Sequence, residues 1–329
     1  MSAASKPFTI GLKTEASHRI GYGHLARLKN LLHGWERVQA IWFSREKLPW
    51  LEDGSRKVVY RSREEFEQKC EDLDLLLVDE PEFAIDDYFG DSQFPWVGID
   101  EVGDLREVLN LNLITTLEGL EPSRREYGER VELAGARYFI YPPDEPEEIV
   151  TEIDKILVSF GGSDPGQITE SFLQNVSAET LQYCLFIIGP GFGAKRTEAL
   201  KSELALKNLS FRISPPSLVG YFKSLPLTIG CGGVSSYEAL NFGSYPLFLS
   251  QNAEQAGTAQ RLEEMGFGTF FGVAQEIDWQ MLNQWLRSYL HGERSVSCSG
   301  FAKITDGDST FRVRTILEEY GQSGSLSKI

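Results

Sequence analysis

Twice along this chain a short, wholly apolar run ends in a glycine-rich loop and gives way to a segment with helical spacing. In the first case Phe8 to Leu12 leads through a polar stretch to Gly21-Tyr22-Gly23-His24. Leu25, Leu28, Leu31, Leu32 and Trp35 then recur at helical intervals, and Gly34 marks a stop. In the second, Lys155 to Phe160 leads into Gly161-Gly162-Ser163-Asp164-Pro165, and a helix follows from Ile168. Further apolar runs at Val38 to Phe43, Leu73 to Val78 and Trp96 to Ile99 belong to the first half, the last two ending in Asp79 and Asp100. Leu185 to Ile188, Leu209 to Ile213, Leu227 to Ile229 and Tyr245 to Leu249 belong to the second, with a helix carrying Ala259, Leu262 and Met265 after them. Strands that are apolar on both faces and alternate with helices imply a parallel sheet covered on both sides. The Pro- and acid-rich segment from Tyr141 to Asp154 has the composition of a linker. The expectation is two α/β domains, residues 1–145 and 152–320, with a frayed Gly/Ser-rich tail beyond Tyr320.

Charge narrows the partners. The 329 residues carry 32 Lys and Arg against 48 Asp and Glu, a net charge of −16. Nucleic-acid binding needs a basic face to displace counterions, and an anionic membrane surface needs the same, so neither is expected as a partner. No apolar run approaches the roughly 18 residues that span a bilayer, so no membrane insertion is expected. The first twenty residues lack the basic start and long apolar core of a signal peptide, which points to a cytoplasmic protein. Cys70, Cys184, Cys231 and Cys298 form no CxxC pair, and His18, His24, His33 and His291 show no HExxH spacing. No protein metal site and no disulfide framework are expected.

Three loops follow strands at the end where open α/β sheets bind ligands. In the first, Gly21 and Gly23 let backbone approach a ligand, and His24 at a helix start can position water or exchange a proton. A Gly-rich turn capped by a histidine explains the same residues. In the second, the amides of Gly161 and Gly162 and the Ser163 hydroxyl can hold an anion. A tight turn with Asp164 as a helix cap is an equal reading. In the third, Gly230-Cys231-Gly232-Gly233-Val234-Ser235-Ser236-Tyr237-Glu238, the glycines admit a diphosphate to a helix start. There Ser235 and Ser236 can donate to it, and Glu238 can accept from sugar hydroxyls. The alternative is a Gly-rich turn followed by an ordinary helix-start Glu. Asn252 and Gln255 offer further neutral donors. Asp79 and Asp100 are either catalytic carboxylates or strand-end caps. The pairs Glu64-Glu65, Glu147-Glu148 and Glu263-Glu264 read as solvated faces.

Taken in order, these residues resemble a family. Gly21, Gly23, His24 and Arg27 match the GxGHxxR loop of the pseudaminic-acid-pathway UDP-sugar hydrolases, which act on UDP-2,4-diacetamido-2,4,6-trideoxy-β-L-altropyranose. Val158 to Pro165 (VSFGGSDP) is similar to that family's second signature. GCGGVSSYEAL resembles its nucleotide loop, Asn252 and Gln255 the NxxQ after it, and Thr305-Asp306-Gly307 its DG motif. The resemblance spans about residues 13 to 307. It implies a GT-B-like α/β architecture of two Rossmann-like doubly wound domains facing a cleft, His24 on the sugar side and the nucleotide on the second domain. Gly21, Gly23, Arg27, Gly161, Gly162, Ser163, Asp164, Gly232, Gly233, Ser235, Ser236, Glu238, Asn252 and Gln255 would then line the ligand, with the diphosphate on Gly232–Ser236 and the ribose near Glu238. His24 would orient or activate water, and a UDP-sugar would be the substrate, with no metal and no cofactor. Two positions depart from the pattern. The family carries Tyr two residues past the Asp of an early strand, where this chain has Asp79-Glu80-Pro81, with Tyr88 a substitute further along the loop. Lys13-Thr14-Glu15 stands in place of Arg-x-Asp. The implied reaction is metal-independent hydrolysis of a UDP-sugar in surface-glycan biosynthesis. A GT-B glycosyltransferase using an acceptor, and a nucleotide-sugar-binding protein without turnover, are the alternatives.

Overall fold

Every apolar run singled out above forms a strand, and most are buried along most of their length, the edge strand at Ser210–Ile213 excepted, because helices cover both faces of the sheet. The computed structural model describes residues 6–17, 21–48, 51, 55–70, 72–80, 94–101, 103–115, 122–151, 153–301, 305 and 307–326. Pro81, Tyr88 and Asp306 lie outside them. The chain divides into two units, one of residues 1–20, 24–143 and 304–329, the other of residues 21–23 and 144–303.

The first unit holds β1 (Phe8–Lys13), β2 (Val38–Ser44), β3 (Arg56–Val59), β4 (Leu75–Val78), β5 (Trp96–Ile99), β6 (Leu111–Ile114), β7 (Ser123–Tyr127) and β8 (Arg130–Ala134). They lie in the order β3-β2-β1-β4-β5-β6-β8-β7, parallel except for β7, which pairs antiparallel with β8. The second unit holds β9 (Ile156–Val158), β10 (Cys184–Ile188), β11 (Ser210–Ile213), β12 (Leu227–Gly230), β13 (Tyr245–Ser250) and β14 (Thr269–Val273), all parallel, in the order β11-β10-β9-β12-β13-β14. Both sheets therefore run third, second, first, fourth, fifth, sixth, the doubly wound dinucleotide-fold order. The order reverses between β1 and β4 in one sheet and between β9 and β12 in the other. Loops leave in opposite directions there, which opens a crevice at the carboxyl ends.

Packing follows from the patterning. Phe43, Phe66, Leu76, Val78 and Trp96 belong to one core in the first unit, with the Phe66 ring edge-on to Phe43 at 5.2 Å. In the second, Ile156, Val158, Phe172, Phe186, Ile229 and Leu247 form a larger core. Sequence patterning missed five strands: β6 and β8, which are largely buried, and three at or near the edges that break its rule. β3 is a four-residue edge strand with a largely exposed face, and β7 is an edge strand rich in charge. β14 also ends its sheet and is only half-buried.

One boundary needs correction. The second domain was expected to reach residue 320, yet the helix Ser309–Ser323 packs on the first unit. Arg314 donates to the carbonyls of Leu31 (2.7 Å) and His33 (2.5 Å), which end the helix Gly23–Leu32. The Trp35 indole donates to Glu318 at 2.6 Å, and the Tyr320 hydroxyl donates to the Asn110 carbonyl. A cation on the orphan carbonyls of a helix end offsets both their lost bonds and the dipole. The helix continues past Tyr320 to Ser323, where Gly324 ends it in the left-handed region.

Candidate active site

At the crevice of the first sheet, three neighbouring strands end in polar residues. Asp79 follows β4, Asp100 follows β5 and Thr115 follows β6. The helix Gly23–Leu32 buries Leu25, Leu28 and Leu31 against the sheet, and that face carries Arg27 with it. Arg27 is 2% exposed. Its Nε and Nη2 donate to the two oxygens of Asp79 at 2.9 and 2.6 Å, and its Nη1 donates to Asp100 (2.5 Å) and Thr115 (3.3 Å). Expected among ligand-holding residues, Arg27 locks three strand ends to one helix, four of its five N–H donors being bonded there among the described residues.

His24 stands one helical turn before Arg27, its side chain 27% exposed. Its Nδ1 lies 2.7 Å from Oδ1 of Asp79. Burial opposes the charge on Asp79, but Arg27 and then His24 outweigh it and hold the carboxyl down at about 2. An ionised carboxylate only accepts, so Nδ1 carries a proton, and in the neutral imidazole the lone pair is on Nε2. That tautomer is the one a base requires.

Two further groups surround this pair. Lys13, wholly buried at the end of β1, donates to Glu80 and, at 3.2 Å, to Glu15. Burial works against its charge, but Glu80, Tyr60 and Glu15 outweigh that and raise its pKa. Glu101 is buried above Gly98, where a Cβ would stand 2.6 Å from the Glu101 Cγ and 2.4 Å from Leu109, so only glycine fits. Burial, reinforced by Asp79, pushes the Glu101 carboxyl up to about 9 and leaves it a neutral acid at pH 7. Lys13, Glu80, Glu101 and Thr115 were not read from sequence as site residues. The available signal was the polar residue closing each apolar run.

At the second sheet's crevice the one cation bonded to the loop after β9 among the described residues, Arg196, is paired with Asp164 and Glu170. The helix Val234–Asn241 begins at Gly233 with no capping side chain, and neither the Ser235 nor the Ser236 hydroxyl is bonded among the described residues. The amides of Val234 and Ser235 and two hydroxyls are thus available to an anion, while the Ser236 amide donates to the Gly233 carbonyl at 3.0 Å. Gly232 holds φ +87°, and a Cβ there would lie 2.5 Å from the Gln255 carbonyl, so the loop can close only with glycine. Glu238, partly exposed one turn on, has its carboxyl raised to about 7 by burial. Asn252 caps the helix Ala253–Glu264 by accepting from the Gln255 amide at 2.9 Å, and the Gln255 side chain accepts from the Gln251 amide. Their oxygens are spent on the helix start, leaving only amide nitrogens for a ligand.

The loop after β9 resolves its two readings unevenly. Asp164 is wholly buried and accepts from the amides of Ile168 and Thr169 at 3.0 Å, the Thr169 hydroxyl at 2.7 Å and Arg196 at 2.7 Å. It is a helix cap, with Oδ2 taking three of the four bonds. Gln251 adds a tie from β13, donating to the Phe160 carbonyl at 3.0 Å and accepting from the Gly166 amide. Ser163 is buried, while Gly161 and Gly162 keep partial exposure beside it. Among the described residues no group of three or more His, Cys, Asp or Glu is placed to hold a metal, and no helix is long and apolar enough to cross a membrane. The four cysteines are free and buried.

Two parallel-sheet α/β units of this kind define the GT-B fold. The solved structures bear this out over nearly the whole chain. MurG of Acinetobacter baumannii matches at a TM-score of 0.59 with 13% identity, over 95% of this chain and 100% of that one. MnaA of S. aureus, solved with UDP, matches at 0.61 and 12% over 95% and 96%. UGT71G1 of Medicago truncatula, solved with UDP-glucose, matches at 0.62 and 11% over 98% and 100%. No protein-family model matches the chain. In sequence it is similar to the spore coat polysaccharide biosynthesis protein SpsG of Bacillus subtilis (strain 168), 25% identical over 94% of this chain and 98% of that protein.

Proposed function

We propose that the protein is a nucleotide-sugar enzyme that cleaves the bond between an anomeric carbon and UDP, with His24 as the base. The observation that carries this reading is the His24–Asp79 contact. A carboxylate held ionised by Arg27 fixes the imidazole with Nε2 as acceptor, and the position is the carboxyl end of a doubly wound sheet. In hydrolysis, Nε2 takes a proton from water as the water oxygen bonds to the anomeric carbon. The carbon–oxygen bond to UDP breaks, and its electron pair leaves with the diphosphate. The helix start at Gly233 to Ser236 offsets the charge that gathers there. The second unit holds the nucleotide, Glu238 accepting from the ribose hydroxyls. No metal or organic cofactor enters this scheme.

Support comes from three sides. The GT-B fold is shared with MnaA and UGT71G1, whose structures contain UDP and UDP-glucose. SpsG is by name a polysaccharide biosynthesis protein. The sequence resembles the UDP-sugar hydrolases in its GxGHxxR, VSFGGSDP and GCGGVSSYEAL segments. A second reading, a glycosyltransferase with an acceptor hydroxyl in place of water, is favoured by Pro81, which stands where that hydrolase family carries a tyrosine. The test is UDP release from a panel of UDP-sugars in the presence of chelator. Release without acceptor supports hydrolysis, release only with acceptor supports transfer, and no release from any sugar refutes both.

A further inference from the structure

His24 and Asp79 do not stand alone. They are the exposed end of a buried chain of charge that runs through Arg27 to Asp100 and Thr115. Asp100 accepts three bonds and donates none in that chain. Oδ2 takes Arg27 Nη1 at 2.5 Å and the Thr115 hydroxyl at 2.8 Å, and Oδ1 takes the Thr115 amide at 2.5 Å. Among the described residues its carboxyl oxygens face donors only. Its backbone sits at φ +54°, a conformation L-residues other than Asn and Asp rarely hold, and the bonds to Thr115 fix it there.

Counting charge over these residues shows what Asp100 adds. From β1, Lys13 and Glu15 approach; from β4, Asp79 and Glu80; from β5, Asp100 and Glu101; from the helix, His24 and Arg27. Lys13 offsets Glu80. Glu101 is neutral at pH 7, since burial raises its carboxyl to about 9. Glu15, at the partly exposed rim, only adds to the negative side. What remains in the interior, among the described residues, is one guanidinium, Arg27, between the carboxyl groups of Asp79 and Asp100. With Asp79 alone the guanidinium would be balanced, and a proton arriving on the imidazole would leave the cluster net positive. Asp100 makes the cluster one charge short of neutral while His24 is neutral, so proton uptake at Nε2 completes the balance in a low-dielectric setting where that matters most.

We propose that Asp100 is a positioning residue for His24, acting through Arg27 and Asp79 to supply the negative charge that makes the imidazole an effective base. This rests on the reading of His24 as the base, and it extends that reading two residues further into the sheet.

The test is imidazole NMR on the full chain, with the His24 signals assigned by their loss in His24→Asn. In Asp100→Asn the pH midpoint of the His24 signals falls by about one unit relative to the parent, a tenfold loss of proton affinity, and the acidic limb of the kcat/KM profile moves with it. Thr115→Val, which removes one donor to Asp100 without removing charge, shifts the midpoint by less than Asp100→Asn, and Thr115→Ser restores the parent value. Should Asp100→Asn fail to fold, the Thr115 pair decides the matter by itself. A midpoint unmoved in Asp100→Asn, or Thr115→Val and Thr115→Ser behaving alike, overturns the proposal. If the parent turns over no nucleotide sugar, the proposed reaction fails, while the imidazole titration still decides the role of Asp100.

Discussion

The two sheets share one strand order and differ in what they place at the point where that order reverses. In the first, the strand ends carry Lys13, Asp79, Glu80, Asp100 and Glu101, nearly all buried and bonded to one another or to Arg27. In the second, the corresponding loops offer glycines, two serine hydroxyls, helix amides and one carboxyl raised to about 7. Arg196, which reaches the loop after β9, is committed to Asp164 and Glu170. The contrast shows how a chain with a net charge of −16 can take an anionic ligand. The overall field repels it, so the attraction is local and built from neutral dipoles. The first crevice, whose cations are already paired, is suited instead to fixing one histidine.

If that division of labour is right, the largest effect lies in the first sheet. His24→Ala is expected to lower kcat by roughly 10²–10⁴-fold, and Asp79→Asn to approach it, with UDP binding unchanged in both. Steady-state kinetics beside calorimetry checks this, and equal losses in turnover and UDP affinity would erase the distinction between the crevices.

Next comes Glu101→Gln. The Glu101 carboxyl is raised in the native state, so its contribution is fully present below the ordinary value near 4.5 and is lost as pH rises through about 9. The variant, permanently neutral, is expected to be more stable than the parent at pH 8, by on the order of a few kcal/mol, and equal to it at pH 4. Urea unfolding at the two pH values gives the answer. A smaller effect belongs to Gly232→Ala. Forcing a Cβ into φ +87° against the Gln255 carbonyl is expected to cost about 1–3 kcal/mol, read as weakened UDP binding and a lowered Tm. Smallest is the pH dependence of UDP affinity. With the Glu238 carboxyl near 7, ionisation above that pH strengthens the bond to a ribose hydroxyl, and affinity is expected to rise about fivefold from pH 6 to pH 8. Glu238→Gln should flatten that slope.

Much of the fold was legible because continuous apolar runs on both faces leave few options besides a covered parallel sheet. What escaped included strands that violate the pattern, β3 and β7 at the edges with polar faces and β14, half-buried, but also β6 and β8, whose short runs are interrupted by Asn112 and Glu132. The helix Ser309–Ser323 was not read, and its place could not be, since Arg314 reaching Leu31 and His33 is a contact across 281 positions or more that no local pattern encodes. At the site, His24 and the Gly232–Ser236 loop could be found by type and spacing. Arg27 could be found by spacing too, but its role could not, because a lone arginine in a motif reads as a ligand contact until its two carboxylate partners are located. Asp79 and Asp100 were equally ambiguous between cap and catalysis. Their meaning came only from converging on one guanidinium from adjacent strands.

The claim of two crevices with separate tasks is tested most directly by UDP calorimetry on the parent, Asp79→Asn and the double variant Ser235→Ala/Ser236→Ala. Parent-like affinity in Asp79→Asn together with at least tenfold weaker binding in the serine variant is the expected result. Full affinity in the serine variant, or its loss in Asp79→Asn, would contradict it.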